Sequence, residues 1–330
     1  MKALRVHGFE GEHQWSLEEA PTPQPGPGEV QVRICRNAIS YVDLLFAKGG
    51  YQVRPPLPVV PGTEFSGVIS ALGANVGDRY QVGQRVTGTS VGGSWAQYNC
   101  ALVDDIAVLP DHVDLSLASG LAITYATAHY ALKRRAQLRA DETVLVLGGA
   151  GGVGLASIQV AKAIGATVIA GASGQQKREL ARAEGADFLV ETSDPEWRSA
   201  VKAHAPAGID VVVDPVGGKL FETAFRTLKW GGRHLVIGFA GGEIPSLRAN
   251  LTIMKGASLV GVDIRQFREL EPAAAGQNLA DVVTLFGANQ LRPRAAATFP
   301  IERWQDAMKM AQDPSTIGRV VLDWTAEQAP

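Results

Sequence analysis

The stretch TVLVLGGAGGVG, residues 143–154, decides the reading of this chain. β-Branched and aliphatic side chains run from Thr143 to Leu147 and stop abruptly at glycines. Gly149, Gly151 and Gly154 stand in the spacing G-x-G-x-x-G. Val153, Ala156, Val160 and Ile164 then recur at helical intervals, so strand, tight turn and helix follow without a gap. Each part answers a physical need of a dinucleotide site. The turn requires residues without Cβ, the backbone must approach a pyrophosphate, and the helix must lie close on the strand. The first N–H groups of the helix and the positive end of its dipole suit the phosphates, so Gly152 and Val153 join the three glycines as candidate cofactor-binding residues.

Working outward, the same grammar repeats. Brief apolar runs at 167–170, 188–190, 210–213, 234–237 and 259–262 alternate with helical patterns such as 176–183 and 220–228. Gly231-Gly232 reads as the stop of the latter helix. Strands alternating with helices predict an α/β Rossmann domain, a doubly wound parallel sheet covered on both faces. The first third of the chain is β-rich instead. Segments 29–35, 67–72, 85–89 and 95–99 are short and separated by Pro and Gly, and the Pro-rich piece 21–27 is a connection. After Asp263 come helical patterns at 279–288 and 301–310 and a last strand at 319–324. The nucleotide domain, 119–263, is therefore expected as an insertion into a β domain built from residues 1–118 and 264–330.

Composition sets bounds on function. The chain has 330 residues, 46% hydrophobic and 19% charged, with a formal net charge of −2. Two domains with their own cores are affordable at this length, and nothing in the charge suggests a nucleic-acid surface. No run of eighteen apolar residues or signal peptide is legible, so no membrane insertion and a cytoplasmic protein are expected. Cys35 and Cys100 are the only cysteines, in no metal-like spacing, and a disulfide framework is not expected.

Several phrases in order bring a family into view: PGTEFSGVI (61–69), GQRVTG (83–88), GGSWAQY (92–98), TYATAHYAL (124–132), GGAGGVGLASIQVAK (148–162) and GRVVL (318–322). With them the chain resembles the zinc-independent NADPH:quinone oxidoreductases of the medium-chain dehydrogenase/reductase superfamily. The resemblance implies a GroES-like β domain, a Rossmann domain, a cofactor cleft between them and a homodimer. It also implies that Thr127, Gly238, Phe239 and the segment Val262, Asp263, Ile264 contact the nicotinamide end, and that Ser40, Tyr41 and Tyr51 line the acceptor pocket as catalytic-site residues.

NAD sites usually carry an acid at the end of the second strand. Here that strand runs into Gly171-Ala172-Ser173-Gly174, followed by Lys177 and Arg178. A hydroxyl and two cations attract a 2′-phosphate, which favours NADPH. The family often has a lysine where Lys177 stands; a tyrosine that binds the phosphate in some members is replaced by Thr192.

No metal is expected. Relative to the superfamily's zinc enzymes, Ser40 and Thr63 stand where thiolate and imidazole ligands would be, leaving Glu64 alone. Asp43 and Glu64 are expected to make structural hydrogen bonds. His7, His13, His112, His129, His204 and His234 are scattered singly and read as surface or helix residues. Without a Lewis acid, a conjugated acceptor is the better substrate. The expected activity is metal-free reduction of quinones by NADPH. A reductase of 2-enals, enones or enoyl thioesters, and a non-catalytic NADPH-binding protein, are the alternatives.

Overall fold

The structure, a computed structural model, describes residues 1–9, 14–47, 49–50, 55–313 and 315–325. Two compact units result. The first comprises Met1–Thr124, Gln266–Gly287 and the chain from Pro293 onward; the second comprises Tyr125–Arg265 and Ala288–Arg292.

The first unit opens with the hairpin β1 (Lys2–Val6) and β2 (Trp15–Glu19), followed by β3 (Glu29–Ala38) and α1 (Tyr41–Ala47). Next come β4 (Glu64–Leu72), β5 (Arg85–Thr89), β6 (Tyr98–Leu102), β7 (Ile106–Val108) and α2 (Leu115–Ala118). The second unit holds α3 (Ala126–His129), β8 (Thr143–Leu147), α4 (Gly152–Ile164), β9 (Thr167–Ala172), α5 (Gln175–Ala183), β10 (Phe188–Glu191) and α6 (Trp197–His204). It continues through β11 (Ile209–Asp214), α7 (Phe221–Phe225), β12 (Leu228–Val236), α8 (Asn250–Lys255) and β13 (Ser258–Gly261). The chain returns to the first unit within α9 (Ile264–Leu270) and ends with α10 (Pro272–Gly287), β14 (Ala295–Pro300), α11 (Trp304–Gln312) and β15 (Arg319–Asp323).

In the second unit the six strands run in the order β10-β9-β8-β11-β12-β13, every neighbouring pair parallel. Val144 to Leu147 are fully buried because a parallel strand is covered on both faces. Successive connections leave β8 to one side and reach β11 on the other, so the direction of winding switches between β8 and β11. That is where such sheets offer a crevice at the carboxyl ends of their strands. Gly165, at φ 98°, closes α4 through N–H bonds to Ala161 and Lys162.

The first unit is built on the strand path β14-β15-β3-β4-β5-β7, with β6 also paired to β3. The return of the chain is integral to it: β15 pairs antiparallel with β3, Leu322 opposite Asn37. Its core is aromatic, with Trp95, Phe65 and Tyr80 buried and Trp15 stacked on Trp304 at 5.8 Å.

Two local expectations need correction, and one strand was not foreseen. Gly231 and Gly232 do not end a helix; they lie inside β12. The helix is only five residues long, and the pairing of β11 with β12 jumps from Ile209–Leu228 to Val211–Arg233. Gly231 sits at φ 75°, and a Cβ on Gly232 would come 2.9 Å from the Leu228 side chain, so the glycines serve an irregular strand entry. Strand β6 begins at Tyr98, since Trp95 and Ala96 precede it as core residues. Strand β14, Ala-rich and without alternation, was not legible.

Candidate functional site

The second unit presents a bare helix start. Gly151 precedes α4 with no side-chain cap, and the first N–H to bond along the helix is that of Leu155, to Gly151 carbonyl at 2.8 Å. The N–H groups of Gly152, Val153 and Gly154 come before it. Gly151 and Gly152 are exposed, Val153 is half-buried and Gly154 is buried.

The glycines differ in why they are glycines. A Cβ on Gly154 would lie 2.1 Å from Gly148 carbonyl oxygen, and one on Gly149 would lie 3.0 Å from Ala170 Cβ. Those two positions are closed by the protein's own packing. A Cβ on Gly151 meets nothing nearer than 3.4 Å, and φ is an ordinary −79°. The fold therefore leaves the space above Gly151 open, as a cradle for a bound phosphate requires.

Other segments converge on the same sheet edge. Asp214, ending β11, accepts the Val216 and Gly217 N–H groups at 2.8 Å each. Val216 packs where a Cβ on Gly148 would be, 2.8 Å away. The turn carrying Gly238 and Phe239 is tied to this loop by Ala240 N–H to Pro215 and Gly241 N–H to Val216. Val262 is buried, with its N–H on Val236 carbonyl at 2.9 Å. Asp263 is exposed and accepts the Arg265 N–H, and Ile264 opens α9. Thr127 is buried in α3. His234 is not a surface or helix residue: it lies fully buried in β12, with Nε2 3.0 Å from Asp214 Oδ2 and its ring against Phe221.

At the end of β9, Ser173 and Lys177 are exposed. Arg178 is engaged by Glu191, whose carboxylate also accepts the Gly174 N–H at 3.0 Å. Sequence reading missed Glu191 because it sought an acid only on the second strand. The parallel register sets Glu191, at the end of the third, opposite Ala172.

In the first unit, Ser40 and Asp43 cap α1 reciprocally: Asp43 N–H donates to Ser40 Oγ at 3.1 Å, and Ser40 N–H to Asp43 Oδ2 at 2.8 Å. Thr63 Oγ1 lies 3.0 Å from Ser40 Oγ and donates to Asp43 Oδ1 at 3.2 Å. Glu64 accepts the Ile123 N–H and faces Arg319 at 3.7 Å. Arg319 also donates to Thr124 and Ile39 carbonyl. Burial pushes the Asp43 carboxyl up to about 6 against the bonds from Ser40 and Thr63. It pushes Glu64 up to about 7 despite the Arg319 charge. Tyr41 is 53% exposed at the start of α1. Tyr51 and His13 lie outside the described residues. Among the described residues no three His, Cys, Asp or Glu side chains are grouped as a metal would need.

Comparison with known proteins places this architecture. The model of the alcohol dehydrogenase GroES-like domain matches residues 26–130, and that of the zinc-binding dehydrogenase family matches residues 152–277. Quinone oxidoreductase-like protein 2 of Mus musculus is 35% identical over 307 residues, covering 92% of this chain and 87% of the relative. The chain belongs to the medium-chain dehydrogenase/reductase superfamily. Within that superfamily, a mycobacterial quinone oxidoreductase superposes with a TM-score of 0.89 at 27% identity, over 98% of this chain and 99% of the other. A mycobacterial protein solved in complex with NADPH gives 0.87 at 27% identity, over the same shares.

The buried carboxyls make stability depend on pH. Glu64 ordinarily titrates at 4.5 and in the fold at about 7, so the folded protein holds that proton more tightly than the unfolded chain. The stabilisation is complete below about 4.5 and is lost as pH rises to about 7. Glu64→Gln keeps an acceptor for Ile123 and removes the titration. Denaturant unfolding should show wild-type stability falling over this window by on the order of 1–3 kcal/mol more than the variant's. Parallel pH curves would contradict the assignment.

Proposed function

We propose that this oxidoreductase uses NADPH to reduce quinones without a metal ion. The observation that carries the reading is the uncapped start of α4 beneath an open Gly151, in a superfamily that includes an NADPH complex of closely similar fold. In this reading Gly149, Gly151, Gly152, Val153 and Gly154 hold the pyrophosphate, and Ser173, Lys177 and Arg178 meet the 2′-phosphate. Thr127, Gly238, Phe239, Val262, Asp263 and Ile264 border the nicotinamide. When bound, NADPH supplies the hydride.

The chain's own contribution to the acceptor comes from the segment containing Ser40, Tyr41 and Tyr51. Ser40 and Thr63 are neutral hydroxyls, bonded to each other and to Asp43, and make poor ligands for zinc. Their chemistry is orientation and hydrogen bonding, which suits an acceptor whose conjugation already spreads the incoming charge. Tyr41 offers an exposed ring on which a flat quinone can stack.

A homodimer belongs to the same proposal. β13 is an edge strand, and Leu259 on it, Trp230 on β12, and Ile253 and Met254 on α8 are exposed, Trp230 by 78%. Two copies can pair such edges about a twofold axis and bury these side chains. Sedimentation should give twice the 34.9 kDa chain mass, and Leu259→Arg should give monomers; a monomeric wild type would contradict the pairing. We also assign the protein to the cytoplasm, where its free Cys35 and Cys100 stay reduced.

The activity is tested by NADPH consumption with an acceptor panel before and after exhaustive dialysis against a chelator. The expected result is turnover with simple quinones, faster than with 2-enals, enones or enoyl thioesters, and unchanged by the chelator. Preference for the acyclic acceptors would move the substrate to that class. Binding without turnover would leave a nucleotide-binding protein, and loss of rate restored by zinc would overturn the metal-free chemistry.

A further inference from the structure

The two cations beyond β9 are not equivalent. Glu191 engages Arg178, while among the described residues no carboxylate pairs with Lys177. The Glu191 carboxylate is itself held in place. Oε1 accepts from Ser193 N–H at 3.2 Å and from Ser193 Oγ at 2.6 Å, and Oε2 accepts the Gly174 N–H at 3.0 Å. The strand behind it is fixed by parallel pairing, Glu191 opposite Ala172. Gly174, at φ 85°, then leads into α5, whose first turn carries Lys177 and Arg178.

We propose that Glu191 is a specificity-determining residue, one that limits the discrimination between NADPH and NADH by occupying the donors a 2′-phosphate would take. This rests on the reading that NADPH is the cofactor. A carboxylate and a phosphate oxygen compete for the same groups, a backbone N–H and a guanidinium. With Glu191 in place these three side chains carry a net single positive charge; without it they carry two. The carboxylate also repels a phosphate brought near it, whereas it can accept hydrogen bonds from the uncharged ribose hydroxyls of NADH. Lys177 keeps the balance in favour of NADPH, and Glu191 sets how large the margin is. Specificity then comes from a repulsive element as well as an attractive one. The acid usual at the end of the second strand is here supplied from the neighbouring strand.

The test is fluorescence titration of NADPH and of NADH against the purified wild type and Glu191→Gln. The amide still accepts from Ser193 and cannot pair ionically with Arg178. NADPH should bind about tenfold more tightly to the variant, with NADH unchanged within about twofold or weaker. The gain should shrink with added salt and be smaller when Glu191→Gln is made in an Arg178→Ala background, where only the freed Gly174 N–H and the lost repulsion remain. Melting curves establish that each variant is folded. Weaker NADPH binding, an equal change for both nucleotides, or a gain undiminished without Arg178 would overturn the proposal. A folded wild type that binds neither nucleotide would overturn the cofactor reading itself, whereas NADPH binding that ignores Glu191 would overturn only the specificity role.

Discussion

Gly154 and Gly148 touch backbone to backbone, and the second unit is arranged around that approach. With 2.1 Å between the place of a Gly154 Cβ and Gly148 oxygen, no other residue lets α4 start so close to the end of β8. The closeness has two consequences. It packs the helix on the sheet, burying Leu155, Ala156, Ile158 and Val160, and it leaves the helix's first N–H groups facing outward with no side chain to satisfy them. Packing and the unsatisfied N–H groups that we propose bind phosphate therefore come from one contact. The crowding at Gly148 by Val216 extends it to the β11 loop, which the buried Asp214–His234 pair holds in shape.

Much of this was legible from residues because local and long-range demands agree there. Thr143 to Leu147 are apolar on both faces, the glycines answer steric needs within a few residues, and α4 has its own stop at Gly165. The return strand β15 was legible as well, since Val320 to Leu322 form a short buried run. The failures lie where pairing outranked pattern. Gly231 and Gly232 looked like a helix stop, yet they allow β12 to enter beside β11 with extra residues. His234 looked like one more scattered histidine; its burial depends on Asp214, twenty positions away. Glu191 is invisible to a rule that counts along one strand, because parallel pairing brings it to the loop after another.

The first unit carries a different kind of information. Ser40 and Thr63 were singled out by what they are not, a thiolate and an imidazole. The structure gives them a positive description as members of a bonded set with Asp43 at the start of α1. Glu64 and Arg319 form a second set that ties β4 to β15 and to the chain at Ile123 and Thr124. Burying two carboxyls costs stability near neutral pH. The hydrogen bonds and the Arg319 charge offset only part of that cost, which is why both groups titrate high. Of the three acceptor-side candidates, Ser40 is buried in this network and Tyr41 is exposed beside it.

The central claim is that the outward N–H groups at the start of α4 bind the cofactor's phosphates. The most direct measurement is a titration of 15N-labelled protein with NADPH, following backbone amide resonances. The account predicts that Gly152 and Val153 move among the largest shifts, together with Gly174 near the 2′-phosphate, at saturating nucleotide. Saturable NADPH binding with these amides unmoved would contradict it.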